Sequence, residues 1–256
     1  MSNKKEREKR REERIAAETK VDTGERRTRI LQIAAGAAFL AIIAVVVVIV
    51  VASSSGGGSG DTKIEKADEV DRLLGGIPQS ELELGDKSAP VELVEFGDLQ
   101  CPVCKANSED VMPDLIRNKI KTGEARLVFR NFVIISEEST PAGAAAIAAG
   151  KQGRGYNFIE TFYRNQGAER SGYVTDEFLE AVAKAAGVKD LAQWNKDRRS
   201  KEVLQEVEAT TSEASTRFGF NGTPSFLIKG PSTNGYEIVQ NSESASSFED
   251  AIDQAG

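Results

Sequence analysis

The order of apolar patterns along this chain points to an α/β domain with an inserted helical block, carried behind one membrane-spanning helix. Three observations carry that reading. An unbroken apolar run covers Ile30–Ala52, a strand–helix–strand pattern covers Val91–Ile135, and a strand–strand–helix pattern closes the chain from Ser225. Between the last two lie only helical periodicities, which makes this an α/β arrangement with inserted helices.

Taken in order, residues 1–29 hold 11 Lys/Arg against 7 Asp/Glu and few apolar side chains, which reads as a solvated basic tail. From Ile30 to Ala52 the only polar side chain is Gln32. About 20 such residues cross a bilayer core as a helix. The run is longer than the apolar stretch of a signal peptide, and Val50-Val51-Ala52 before Ser53 is a weak cleavage site, so it reads as an uncleaved anchor in the lipid bilayer. Arg26, Arg27 and Arg29 precede it, whereas the next basic residue on the other side is Lys63. That asymmetry places the tail in the cytoplasm and residues 53–256 outside the cell membrane. Ser53–Gly60 is a Ser/Gly tether, and residues 53–76 read as a flexible linker with one short helix over Lys63–Leu74 before Gly75-Gly76. The folded domain is expected from Ile77 to Gly256.

Within it, Val91–Phe96 reads as a strand ending at Gly97-Asp98, Pro102–Lys121 as a helix bent by Pro113, and Ala125–Ile135 as a second strand. Helical patterns follow over Pro141–Lys151, Tyr156–Asn165, Thr175–Ala186 (capped by Thr175 or Asp176) and Lys201–Phe218, giving an insertion of about 138–218. Ser225–Lys229 and Tyr236–Gln240 read as strands and Ser246–Gln254 as the closing helix. Trp194 and the Phe158, Phe162, Tyr163 group read as core. Gly150–Gly155 lacks the Gly-Lys-Ser/Thr ending of a phosphate loop.

Composition excludes much chemistry. The chain has 256 residues, no histidine and two cysteines. A Ser-His-Asp triad, a Cys-His protease dyad and a His-ligated zinc site are all ruled out. Residues 30–256 carry 22 Lys/Arg against 33 Asp/Glu, a net charge of −11, so no nucleic-acid partner is expected. The two cysteines, Cys101 and Cys104, sit where a strand ends and a helix begins. A helix N-terminus offers unpaired N–H groups and positive dipole, which favour a thiolate at the cap, and Cys104 one turn inside can reach back to it. That arrangement suits thiol–disulfide exchange. A structural i,i+3 disulfide, half of a metal site shared with another chain, and a pair of idle thiols are the competing readings.

Two segments give a family resemblance. Leu84-Gly85-Asp86-Lys87-Ser88-Ala89-Pro90-Val91, followed by Val94-Glu95-Phe96-Gly97-Asp98-Leu99-Gln100-Cys101-Pro102-Val103-Cys104, resembles the N-terminal half of DsbA-like thioredoxin-fold proteins, and Gly222-Thr223-Pro224-Ser225-Phe226 resembles their cis-proline loop. The resemblance covers about Ile77 to Gly256, the helical block standing where the family carries its inserted subdomain. It implies a thioredoxin fold, Cys101 as nucleophile, Cys104 as resolving thiol, and a cis Thr223-Pro224 peptide beside them. It also implies a protein thiol–disulfide oxidoreductase with no organic or metal cofactor, cysteine-containing protein substrates, and a membrane redox partner for recycling. Glu95 stands where such proteins often keep a buried acid for proton transfer, although the alternation Val94-Glu95-Phe96 equally permits a Glu facing water. One departure is Val103, since strongly oxidising members carry His there. An extracytoplasmic compartment favours oxidation of substrates, whereas reduction or isomerisation would require a transmembrane electron supplier, and the lone CxxC fits either direction. The alternative of another class is a tethered binding or chaperone module whose cysteines do not turn over.

Overall fold

The computed structural model describes residues 62–240, 242 and 244–256. The predicted tail, anchor and tether (residues 1–29, 30–52 and 53–60) lie outside these residues. Among the described residues no helix is long and apolar enough to cross a membrane.

A six-stranded mixed sheet in the order β1-β2-β4-β3-β5-β6 forms the frame. Its strands are β1 (Gln79–Ser80), β2 (Glu83–Leu84), β3 (Val91–Gly97), β4 (Ala125–Asn131), β5 (Ser225–Lys229) and β6 (Glu237–Ile238). β3 lies at the centre, parallel to β4 and antiparallel to β5. It is almost wholly buried, as a central strand covered on both faces must be. Side chains alternate across a strand, so Val91, Leu93 and Glu95 share one face while Val94 and Phe96 share the other. The first face meets the main core, which also holds Cys101 and Cys104. The second meets a smaller cluster with Phe132, Ala214 and Leu227, flanked by Phe218 and Phe220.

Helix α1 (Ala67–Leu74) buries Val70 and Leu74 in the main core. The packed domain therefore starts ahead of Ile77. Short strands β1 and β2, for which the sequence shows no alternation long enough to read, pair with each other and then with β4. The expected single helix Pro102–Lys121 is instead α2 (Pro102–Asp110), α3 (Met112–Leu115) and a π-helical turn over Ile116–Ile120. Pro113 lacks an N–H and its ring clashes with the carbonyl four residues back, so it breaks the helix at Val111 instead of bending it. β4 ends at Asn131, short of the expected Ile135. Beyond it the backbone N–H groups go to side chains: Val133 donates to Thr211 Oγ1, and Ile134 and Ile135 to Asp98 Oδ2.

Between β4 and β5 run α4 (Ser139–Gly150), α5 (Gly155–Arg164), α6 (Asp176–Ala185), α7 (Leu191–Asp197) and α8 (Lys201–Thr216), and α9 (Ala245–Ala255) closes the chain. α4 is apolar all round, with six buried alanines, because small side chains let α5 and α8 approach it closely. Thr175 caps α6 by accepting the Phe178 N–H. α7 is an element the sequence reading does not include; its seven residues are too few to show a period. Its Trp194 is fully buried and donates Nε1–H to the Ala145 carbonyl at 2.9 Å, and Phe158, Phe162 and Tyr163 are core residues as expected.

Candidate active site

The site grows from the C-terminal end of β3. Gly97 lets the strand pass close to its neighbours, for a Cβ there would come within 2.6 Å of the Phe129 ring. The chain then turns through Asp98–Gln100 into α2, with Pro102 at the first helical position, where its missing N–H costs nothing. Cys101 is the N-cap residue. Its Sγ accepts the Cys104 backbone N–H at 3.4 Å, and its thiol hydrogen points to the Thr223 carbonyl, also at 3.4 Å. The Thr223–Pro224 peptide is cis. Both thiols are free, with Cys101 4% and Cys104 0% exposed. Val103 between them is 60% exposed and projects away from the pair.

The two sulfurs differ in their affinity for a proton. Cys101 is held down at about 6 from an ordinary 9.0, first by hydrogen bonding from the Cys104 side chain; burial opposes this, and Thr223 and the N–H groups of Cys104 and Val103 assist. Cys104 is pushed well above its ordinary value, first by burial, then by its hydrogen bond to Cys101 and the charges of Glu95 and Cys101. Both effects follow from position: a helix N-cap stabilises an anion, whereas the core one turn inside excludes it.

Glu95 faces the main core, not water. It is 8% exposed, and burial pushes its carboxyl up to about 8, with the charges of Glu160 and Cys101 adding. The structure thus brings Cys101, Cys104, Thr223, Pro224 and Glu95 into one neighbourhood.

It also adds residues that the sequence reading did not name. Asp98 is 1% exposed and accepts backbone N–H groups from Gln100, Ile134 and Ile135 at 2.8–2.9 Å. It ties the turn before Cys101 to the segment after β4. Glu160 and Arg164, one turn apart on α5, form a buried ion pair at 2.6 Å. Gln166 donates to the carbonyls of both Leu99 and Cys101. Asp98 lies inside the quoted motif and could have been singled out as a polar residue among apolar neighbours. Gln166 carries no such signal, being 65 residues from Cys101. Among the described residues no three His, Cys, Asp or Glu side chains gather as metal ligands.

Comparison with known proteins fits this geometry. A family model described as thioredoxin matches residues 79–254. The chain belongs to the thioredoxin family. A probable disulfide bond formation protein D from Bacillus cereus is 32% identical over 154 residues, covering 59% of this chain and 71% of that protein. Two solved structures share the fold. Oxidised BdbD from Bacillus subtilis has a TM-score of 0.60 at 21% identity, over 70% of this chain and 97% of that one. Wolbachia pipientis α-DsbA1 has a TM-score of 0.58 at 22% identity, over 68% and 89%. This thioredoxin-family chain therefore carries the α/β fold with a helical insertion that its sequence predicts.

Proposed function

We propose that this chain is an extracytoplasmic protein thiol–disulfide oxidoreductase, working as an oxidase of cysteine-containing proteins through Cys101-Pro102-Val103-Cys104. One observation carries the reading: the two thiols are unequal, Cys101 the stronger acid at the α2 N-cap and Cys104 a weak acid one turn inside the core.

In the oxidising direction a substrate thiolate attacks Cys101 Sγ of the Cys101–Cys104 disulfide. The intramolecular S–S bond breaks, a substrate–Cys101 mixed disulfide forms, and Cys104 leaves as a thiolate that takes a proton. Glu95, protonated at neutral pH when its pKa lies near 8, supplies it. A second substrate thiolate then attacks the substrate sulfur of the mixed disulfide and Cys101 departs as a thiolate. The substrate loses two electrons and the dithiol gains them. A leaving thiolate of low pKa departs readily, which favours release from Cys101. The Thr223 carbonyl and Pro224 border the sulfur and would align the incoming strand. The apolar run at residues 30–52, with Arg26, Arg27 and Arg29 before it, supports a single-pass anchor with the N-terminus cytoplasmic. Reoxidation of the dithiol then falls to a membrane redox partner.

The test is oxidation of a reduced two-cysteine peptide by the oxidised full chain in detergent. Wild type forms one peptide disulfide per chain, and Cys101→Ser forms none. Equal peptide oxidation by both proteins would refute the enzyme and favour the tethered binding module.

A further inference from the structure

Two amide hydrogens of Gln166, just past the end of α5, reach the loop that presents Cys101. Its Nε2 donates to the Leu99 carbonyl at 2.7 Å and to the Cys101 carbonyl at 3.1 Å. The Cys101 carbonyl already accepts the Lys105 N–H at 3.1 Å, the first bond of α2. Gln166 therefore clamps the Leu99–Gln100 and Cys101–Pro102 peptide units and joins the cap of α2 to the helical insertion. The same stretch grips the loop again. The Arg170 N–H donates to Gln100 Oε1 at 3.0 Å, and Arg170 Nε to the Ile135 carbonyl at 2.8 Å. Arg170 holds φ at +57°, a left-handed conformation that a non-glycine residue adopts at a cost of about 1 kcal/mol. Backbone strain is thus retained where the insertion touches the cysteine turn.

We propose that Gln166 is a positioning residue for the reactive sulfur, through which the helical insertion sets the proton affinity of Cys101. The inference rests on the oxidoreductase reading. Its physics is local. Carbonyl oxygens carry the negative ends of the peptide dipoles, and two of them, of Leu99 and of Cys101 itself, lie in the turn that must hold a thiolate. Two N–H groups aimed at those oxygens offset that negative potential. They also hold Cys101 at φ −73°, ψ 120°, the extended cap conformation in which Sγ meets the Cys104 N–H. Gln166 does not touch the sulfur; it acts through the backbone.

The test follows Cys101 alkylation against pH in the reduced full chain, with the modified residue assigned by mass spectrometry. Gln166→Leu keeps the side-chain volume and removes both donors. Loss of two modest hydrogen bonds should raise the midpoint by about 0.5–1 pH unit, a three- to tenfold smaller thiolate fraction below the midpoint. Gln166→Glu places an anion against the same carbonyls and should raise it further. Gln152→Leu is the control. Gln152 makes an equivalent clamp elsewhere in the insertion, donating to the Asp190 carbonyl at 2.9 Å and accepting the Asp190 N–H at 3.0 Å. It should lower Tm and leave the Cys101 midpoint in place. The inference is overturned when Gln166→Leu titrates as wild type, or when Gln152→Leu shifts the midpoint equally. Should Gln166→Leu not fold, Gln166→Asn keeps the amide but falls one methylene short, and an unmoved midpoint there overturns it as well. A wild-type midpoint near 9 instead overturns the oxidoreductase reading itself, a result distinct from an unmoved variant.

Discussion

Replacing Glu95 by Gln tests the buried acid directly, because burial has a pH-dependent cost that an amide does not share. The Glu95 carboxyl is raised from 4.5 to about 8, first by burial, then by the charges of Glu160 and Cys101. A group whose folded pKa lies above its unfolded value stabilises the fold fully below the unfolded pKa. That contribution is lost as pH rises through the folded pKa. The window here is pH 4.5 to 8. At pH 7 the unfolded chain has released this proton and the folded chain has kept it. At about 1.4 kcal/mol per pH unit over the interval from 4.5 to 7, wild type loses on the order of 3 kcal/mol that Glu95→Gln does not. Guanidinium unfolding of both reduced proteins, read by the fluorescence of the lone Trp194, gives the comparison. Any fixed offset from burying an amide cancels, since only the change with pH counts. The stability difference should move toward the variant from pH 4.5 upward and level off above pH 8. Parallel stability curves over pH 4.5–8.5 would refute the placement of Glu95 as a buried, proton-holding acid.

Cys104→Ala removes the first contribution that holds the Cys101 thiol down, so the alkylation midpoint should rise above 6 by about one pH unit, a tenfold loss of thiolate at pH 5. Asp98→Ala strands the Gln100 N–H in a buried turn and frees the part-buried Ile134 and Ile135 N–H groups after β4, so urea unfolding should show a loss on the order of 2–4 kcal/mol. Trp194→Phe leaves the Ala145 carbonyl without its Nε1–H donor inside the insertion, which should cost about 1–2 kcal/mol by thermal unfolding and leave the Cys101 midpoint unchanged.

What the sequence shows of this fold follows element length and chemistry. β3, α5, α6 and α8 are legible because each is long enough, or apolar enough, for its period to emerge, and Thr175 marks the start of α6 by its capping chemistry. β1, β2 and α7 are not, because two or seven residues carry no period and their formation depends on neighbours far along the chain. The ends of elements fail for a related reason. The apolar run Phe132–Ile135 continues the β4 pattern, yet Asp98, 36 residues away, captures the N–H groups that a strand would have used. At the site, Cys101 and Cys104 are legible as a candidate pair from their spacing together with their place where a strand ends and a helix begins. The side of β3 that Glu95 faces is not, because alternation fixes which residues share a face but not which face meets the larger core. Gln166 is invisible, since its partners are backbone carbonyls of any residue type.

The unlike chemistry of two identical side chains three residues apart is a consequence of where the helix begins. At the cap, Cys101 meets N–H donors that no earlier turn has used, so its negative charge is stabilised. At Cys104 the same helix has entered the core beside Glu95, and every neighbouring charge there is negative or absent. A thiolate expelled at Cys104 is therefore the least stable species in the proposed reaction, and a proton must arrive with it. Glu95 meets that need only while it is itself uncharged, which its burial ensures at neutral pH. Having given the proton away, it is an anion in the core beside Cys101 and raises that sulfur's affinity for a proton. The two acids are thus linked through Cys104, and moving Glu95 to the other face of β3 would remove the proton source and leave the Cys101 cap in place. A single-residue register shift would turn Glu95 over together with every other side chain of β3, and the pairing of β3 with β4 and β5 along its length opposes it.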